Sequence, residues 1–128
     1  MLRFFYVAIG GAVGAMLRYG ASGWVYRFLS EGFPWGTLFV NLLGSLVMGF
    51  LWGLFEVAAV SQNVRLFLLM GMLGSFTTFS TFSLESFNLL RDGEYGLLFW
   101  NIFLSVVLGI ILVFLGYFCA RYVINFSK

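Results

Sequence analysis

Long apolar runs set the pattern of this 128-residue chain. Charged residues are missing from 4–17, 32–55, 66–84 and 95–120. A hydrocarbon core takes roughly 20 apolar residues of helix to cross, and a helix satisfies its own backbone groups where lipid offers no water. The second and fourth runs are long enough and the third nearly so. The first is interrupted by Arg18 but resumes to Tyr26. The pattern predicts an all-α membrane protein of four transmembrane helices, at about 4–26, 35–58, 65–89 and 96–122, in one domain over 1–128. The only proline, Pro34, stands just ahead of the second helix, where a missing N–H does no harm.

The polar positions inside these runs are not scattered. The stretch 71–85 holds six hydroxyl residues, two glycines and three phenylalanines, with Phe76, Phe79 and Phe82 at every third position. Hydroxyls and glycines gather at membrane depth where helices pack, where a helix breaks, or where a pathway is lined. Packing alone accounts for Gly71, Gly74 and Ser75, because small residues let backbones approach. It leaves unexplained the rings interleaved with Thr77, Thr78, Ser80 and Thr81, so packing and pathway both stand at this point. The same glycine and threonines suit a break in the third helix, whose freed carbonyls could hold a hard cation such as sodium. On the second helix Thr37, Asn41 and Ser45 recur every four residues and share a face. On the fourth, Asn101, Ser105, Gly109 and Gly116 form another small-polar stripe.

Composition narrows the chemistry. The chain is 62% apolar and 9% charged, against roughly a quarter charged in a soluble domain. One cysteine, Cys119, excludes an intrachain disulfide and a multi-cysteine metal site. The absence of histidine removes the usual proton relay and metal ligand. A net charge of +2 is too small to point to nucleic acid. Met1-Leu2-Arg3 and the following apolar run imitate a signal peptide, with 12–15 as a small-residue cleavage site. The run continues past Arg18 with no soluble domain behind it, so a span is expected instead.

Four spans place both termini on one side of the membrane, with Arg3, Arg65, Arg121 and Lys128, and leave Arg27 and Arg91 on the other. Four against two is a weak bias under the positive-inside rule. Such near-balance permits insertion in both directions; the alternative is one fixed orientation with the terminal side in the cytoplasm. A single chain of four helices is too small to enclose a polar path, so an oligomer is expected. Gly44, Gly49 and Gly53, with Gly109 and Gly116, suit close helix contacts.

No carboxylate lies deep in a span, since Glu56 and Glu85 fall near helix ends. A path lined this way offers neutral amide and hydroxyl donors, which can replace the water shell of a small anion. Aromatic rings present a positive edge to an anion, whereas cations prefer ring faces or acids. Ordinary helix packing remains the other use for these rings, in a chain with 17 phenylalanines.

Three motifs then stand in order along the chain: Gly14-Ala-x-x-Arg-Tyr19, Gly36-Thr-x-x-Val-Asn-x-x-Gly44 and Gly71-x-x-Gly-x-x-Thr-Thr-Phe-Ser-Thr-Phe82. Together they closely resemble the Fluc/CrcB fluoride channels, over essentially the whole length. The resemblance implies an antiparallel, dual-topology homodimer with two pores in a bacterial inner membrane. It implies passive, selective export of fluoride from the cytoplasm, lowering its toxicity. It assigns Phe79 and Phe82 to a pore-lining aromatic box and Asn41 to a pore-side polar position, beside Thr37 of the same helix face. Ser80, Thr81 and Ser105 match a hydroxyl track. Gly74 and Thr77 match the backbone-carbonyl positions of a central structural Na+ at the dimer interface. The chain departs from the family at Ser75, where glycine is frequent, and near Asn101, where some members carry tyrosine.

A small multidrug-resistance-type exporter is the nearest rival, but proton-coupled cation export generally needs a carboxylate within the membrane and the first helix has none. A structural or assembly subunit would not demand the dense Thr/Ser/Phe segment. An enzyme is not expected, because no nucleophile–base pair or metal set is visible.

Overall fold

A computed structural model describes residues 1–126. Four helices are long and apolar enough to cross a membrane: α1 (Leu2–Val25), α2 (Trp35–Val57), α3 (Gln62–Arg91) and α4 (Tyr95–Phe126). The described residues contain no strand. Run length set these elements, as expected where every backbone group must be paired within its own segment. α3 begins three residues ahead of the expected 65, because Ser61 accepts the Val64 N–H and caps an extra turn.

The expected break in the third helix is present. Its first half passes through π-helical turns at Leu66–Leu73 and a short α-helical turn at Gly74–Phe76. Thr77 (φ −84°, ψ 158°) and Thr78 (φ −150°, ψ 121°) are extended, and the helix restarts over Phe79–Arg91. α4 carries its own π-helical turn, Leu104–Leu108, around Ser105. Such turns are rare and frequent at functional sites.

Packing comes in two tight pairs. α1 lies against the first half of α3, with Gly14 opposite the Met72 backbone. α2 lies against α4, with Gly49 opposite the Val113 carbonyl and Gly116 opposite that of Leu46. A Cβ at any of these positions would overlap backbone. Small residues let helix backbones approach where lipid supplies no hydrophobic drive between helices. Gly49→Ala should therefore push α2 from α4 and cost roughly 1–3 kcal/mol of stability. The thermal midpoint of detergent-solubilised protein measures this, and an unchanged midpoint would contradict so close an approach.

The second half of α3 is held more lightly, chiefly by polar contacts. Thr37 Oγ1 of α2 donates to Glu85 Oε1 at 2.7 Å, and Asn101 Nδ2 of α4 donates to Ser86 Oγ at 3.0 Å. At the other end of α2, the Arg65 guanidinium donates to the Phe55 carbonyl and stacks over the Phe55 ring. Tyr117 Oη donates to Glu56 there at 2.8 Å. These contacts leave one face of α2, α3 and α4 open as a groove.

Candidate ion path

The break in α3 is the centre of the site, and Asn41 of α2 holds it. Asn41 Oδ1 accepts the Thr78 N–H at 2.7 Å, and Asn41 Nδ2 donates to the Thr78 carbonyl at 3.0 Å. The side-chain amide thus pairs with the unwound backbone as a neighbouring strand would. This has a consequence one turn earlier. In a continuous helix the Thr78 N–H would serve the Gly74 carbonyl. Likewise the Thr81 N–H, the helical partner of the Thr77 carbonyl, goes to Thr78 Oγ1 at 3.3 Å as an N-cap. Gly74 and Thr77 therefore both lose the α-helical partners of their carbonyls. Two such hard oxygen donors suit a hard cation better than a soft metal. No cluster of three His, Cys, Asp or Glu side chains that could hold a metal occurs among the described residues.

Beside the break lies a groove of about 300 Å3 between α2, α3 and α4. Its polar lining comes from Asn41, Ser45, Thr77, Thr78 and Ser105, and its aromatic lining from Phe79 and Phe82. The two rings stand 5.7 Å apart, tilted at 43° to each other. No charged residue lines this groove. Ser105 Oγ is buried without a hydrogen-bond partner, within the π-helical turn of α4. Phe79 is 79% exposed, so in one chain this face of the groove has no protein cover.

A second groove, of about 390 Å3, lies on the far side of Thr78, which lines both. Arg18, Tyr19, Ser22, Thr37 and Thr81 line it. Arg18 takes part in neither ion pair found among the described residues, which are Arg91–Asp92 and Arg121–Glu56. Its half-buried cation is therefore not neutralised by a contacting carboxylate.

Of the expected pore-lining residues, the first groove gathers Asn41, Phe79, Phe82 and Ser105, whereas Thr37 and Thr81 line the second. Ser80 is exposed, with its hydroxyl 3.4 Å from Thr78 Oγ1, and lines neither groove. Asn101, placed in the stripe of the fourth helix, is 1% exposed and bonded to Ser86 rather than open to a groove. Thr37 Oγ1 is engaged with Glu85, whose Oε2 is buried without a partner. Met48 lines the first groove and escaped sequence reasoning. Its signal was position alone, seven residues after Asn41 on the same face of α2.

Comparison with known proteins identifies a family for the chain. The profile of the family described as CrcB-like protein, Camphor Resistance (CrcB), matches residues 5–117. A protein of Parabacteroides distasonis named fluoride-specific ion channel FluC is 43% identical over 128 residues, all of both chains. Its namesake in Thermus thermophilus is 50% identical over 115 residues, 90% of this chain and 91% of that one. Another in Magnetococcus marinus is 48% identical over 117 residues, 91% of this chain and 95% of that one. These relatives carry the name of a channel rather than of an enzyme. A profile match across most of the length, full-length relatives, four spans and a third helix broken at Thr77–Thr78 lead to one assignment: the chain belongs to the CrcB family.

Proposed function

We propose that this chain is a fluoride-selective channel that exports fluoride from the cytoplasm as an antiparallel homodimer with two pores. The observation that carries the reading is the first groove, with its neutral donors, two phenylalanine rings and no charged side chain. The naming of close relatives as fluoride-specific channels supports the choice of ion. A bare fluoride must recover most of its hydration energy from the wall. The unpartnered Ser105 hydroxyl, and the Asn41 amide proton beyond the one given to Thr78, supply donors. Ring edges of Phe79 and Phe82 add attraction too weak to trap the ion, which conduction requires. The Arg18 cation beside the second groove raises the local anion concentration near the break.

The uncovered ring of Phe79 argues for a second copy closing the groove. Two copies in opposite orientation would place two equivalent grooves at their shared face. The carbonyls of Gly74 and Thr77, two from each copy, would hold one structural Na+ there. The ion would tie the two broken helices together and carry no current. A passive path in a bacterial inner membrane exports anions because the interior is negative, by about 2.3 kcal/mol per charge for each 100 mV.

Selectivity tests this directly. Protein reconstituted in liposomes should release trapped fluoride rapidly and chloride at least about a hundredfold more slowly, since chloride is larger and gains less from each hydrogen-bond donor. Ion-selective electrodes read both fluxes. Comparable rates would sink the proposal.

A further inference from the structure

The geometry points to Gly44 as a positioning residue for ion passage: its missing side chain is the socket for the Thr77 methyl, which with the Asn41 amide fixes the unwound segment of α3. This rests on the channel reading above and adds a residue to it.

Gly44 is buried on the face of α2 that carries Asn41, three residues on, and both line the first groove. A Cβ built at Gly44 would overlap Thr77 Cγ2, and would stand 3.3 Å from Phe76 Cδ1. Nothing from the backbone of another helix is among its nearest atoms. That separates Gly44 from Gly49 and Gly116, where the obstacle is backbone of the facing helix. At Gly44 the main obstacle is one methyl group of one threonine in the break, with the Phe76 ring edge next to it.

Thr77 has little freedom to withdraw. Its N–H and its hydroxyl both bond to the Leu73 carbonyl, each at 3.1 Å, and the next residue is clamped on both backbone groups by Asn41. α2 therefore touches the unwound segment at two consecutive residues, through hydrogen bonds at Thr78 and through shape at Thr77. A methyl at position 44 would have to move Thr77. Doing so shifts its carbonyl and the start of the second half of α3, which carries Phe79 and Phe82.

The test is a double-mutant cycle on reconstituted protein, read as fluoride flux with chloride flux and gel filtration on the same samples. Gly44→Ala in the native background should lower fluoride flux by about tenfold or more. Thr77→Ser deletes the methyl and retains the hydroxyl that bonds Leu73. In that background, adding Gly44→Ala should cost less than about twofold relative to Thr77→Ser alone. A variant that merely loosened the fold would not be rescued by removing a further methyl. If Gly44→Ala alone fails to assemble, recovery of assembly and flux in the double variant supports the socket equally. The inference is overturned if Gly44→Ala conducts as the native chain does, or if it is as harmful in the Thr77→Ser background as in the native one. Absence of fluoride flux from the native protein would instead strike the channel reading itself.

Discussion

Forcing every copy of this chain into one orientation should abolish fluoride flux. Arginine and lysine divide four to two between the terminal side and the opposite loops, and Lys/Arg counts near the span ends set orientation. Ala59, in the link between α2 and α3, and Gln62, the first residue of α3, are exposed on the terminal side. Ala59→Lys with Gln62→Lys should hold that side in the cytoplasm. Ser30 and Glu31 are exposed in the link between α1 and α2, so Ser30→Lys with Glu31→Lys should favour the reverse. Either variant expressed alone would lack an oppositely oriented partner, and the open groove beside Phe79 would stay uncovered. Co-expression of the two should restore flux to within about twofold of native, since neither pair of lysines touches the groove. Cysteine-accessibility labelling establishes the orientation in each case. A uniformly oriented population with full activity would reject the antiparallel dimer and the sodium site that depends on it.

Replacing the groove rings by an aliphatic side chain should cut fluoride flux by about a hundredfold while the protein still folds and assembles. Isoleucine fills much of the same volume but has no polarised edge. Phe82→Ile removes a half-buried ring, and Phe79→Ile a largely exposed one. The two therefore separate electrostatics from packing. If the rings merely pack, Phe82→Ile should lower stability and Phe79→Ile should loosen at most the contact with the second copy, with flux per assembled dimer unchanged. If they serve the ion, both should lose flux while still assembling, Phe79 included although it is 79% exposed in the single chain. Gel filtration alongside flux distinguishes the cases, and native flux in both variants would assign the rings to packing.

Asn41 illustrates how far sequence carries such reasoning. Its spacing from Thr37 and Ser45 placed it on one helical face, and that face does meet the third helix. The spacing gave no hint that both ends of the amide would pair with the Thr78 backbone, 37 residues away. Asn101 and Ser105 form the mirror case. They lie one turn apart on the fourth helix, yet Asn101 bonds to Ser86 while Ser105 is left without a partner at the groove. Periodicity alone treats the two alike.

The four spans were legible because lipid removes choice. A backbone that cannot bond to water must form helix, so the length of each apolar run becomes the length of an element. The break was legible for a related reason, since threonine and glycine at depth supply local caps and close approach that a regular helix would not need. The tertiary structure alone decided what each polar side chain faces. It set Thr37 on Glu85, Asn41 on Thr78 and the Thr77 methyl in the gap at Gly44. These contacts join segments distant in sequence, and they depend on how closely α2 approaches the broken helix. That distance is fixed by the packing of all four helices together, and no local pattern of residues encodes it.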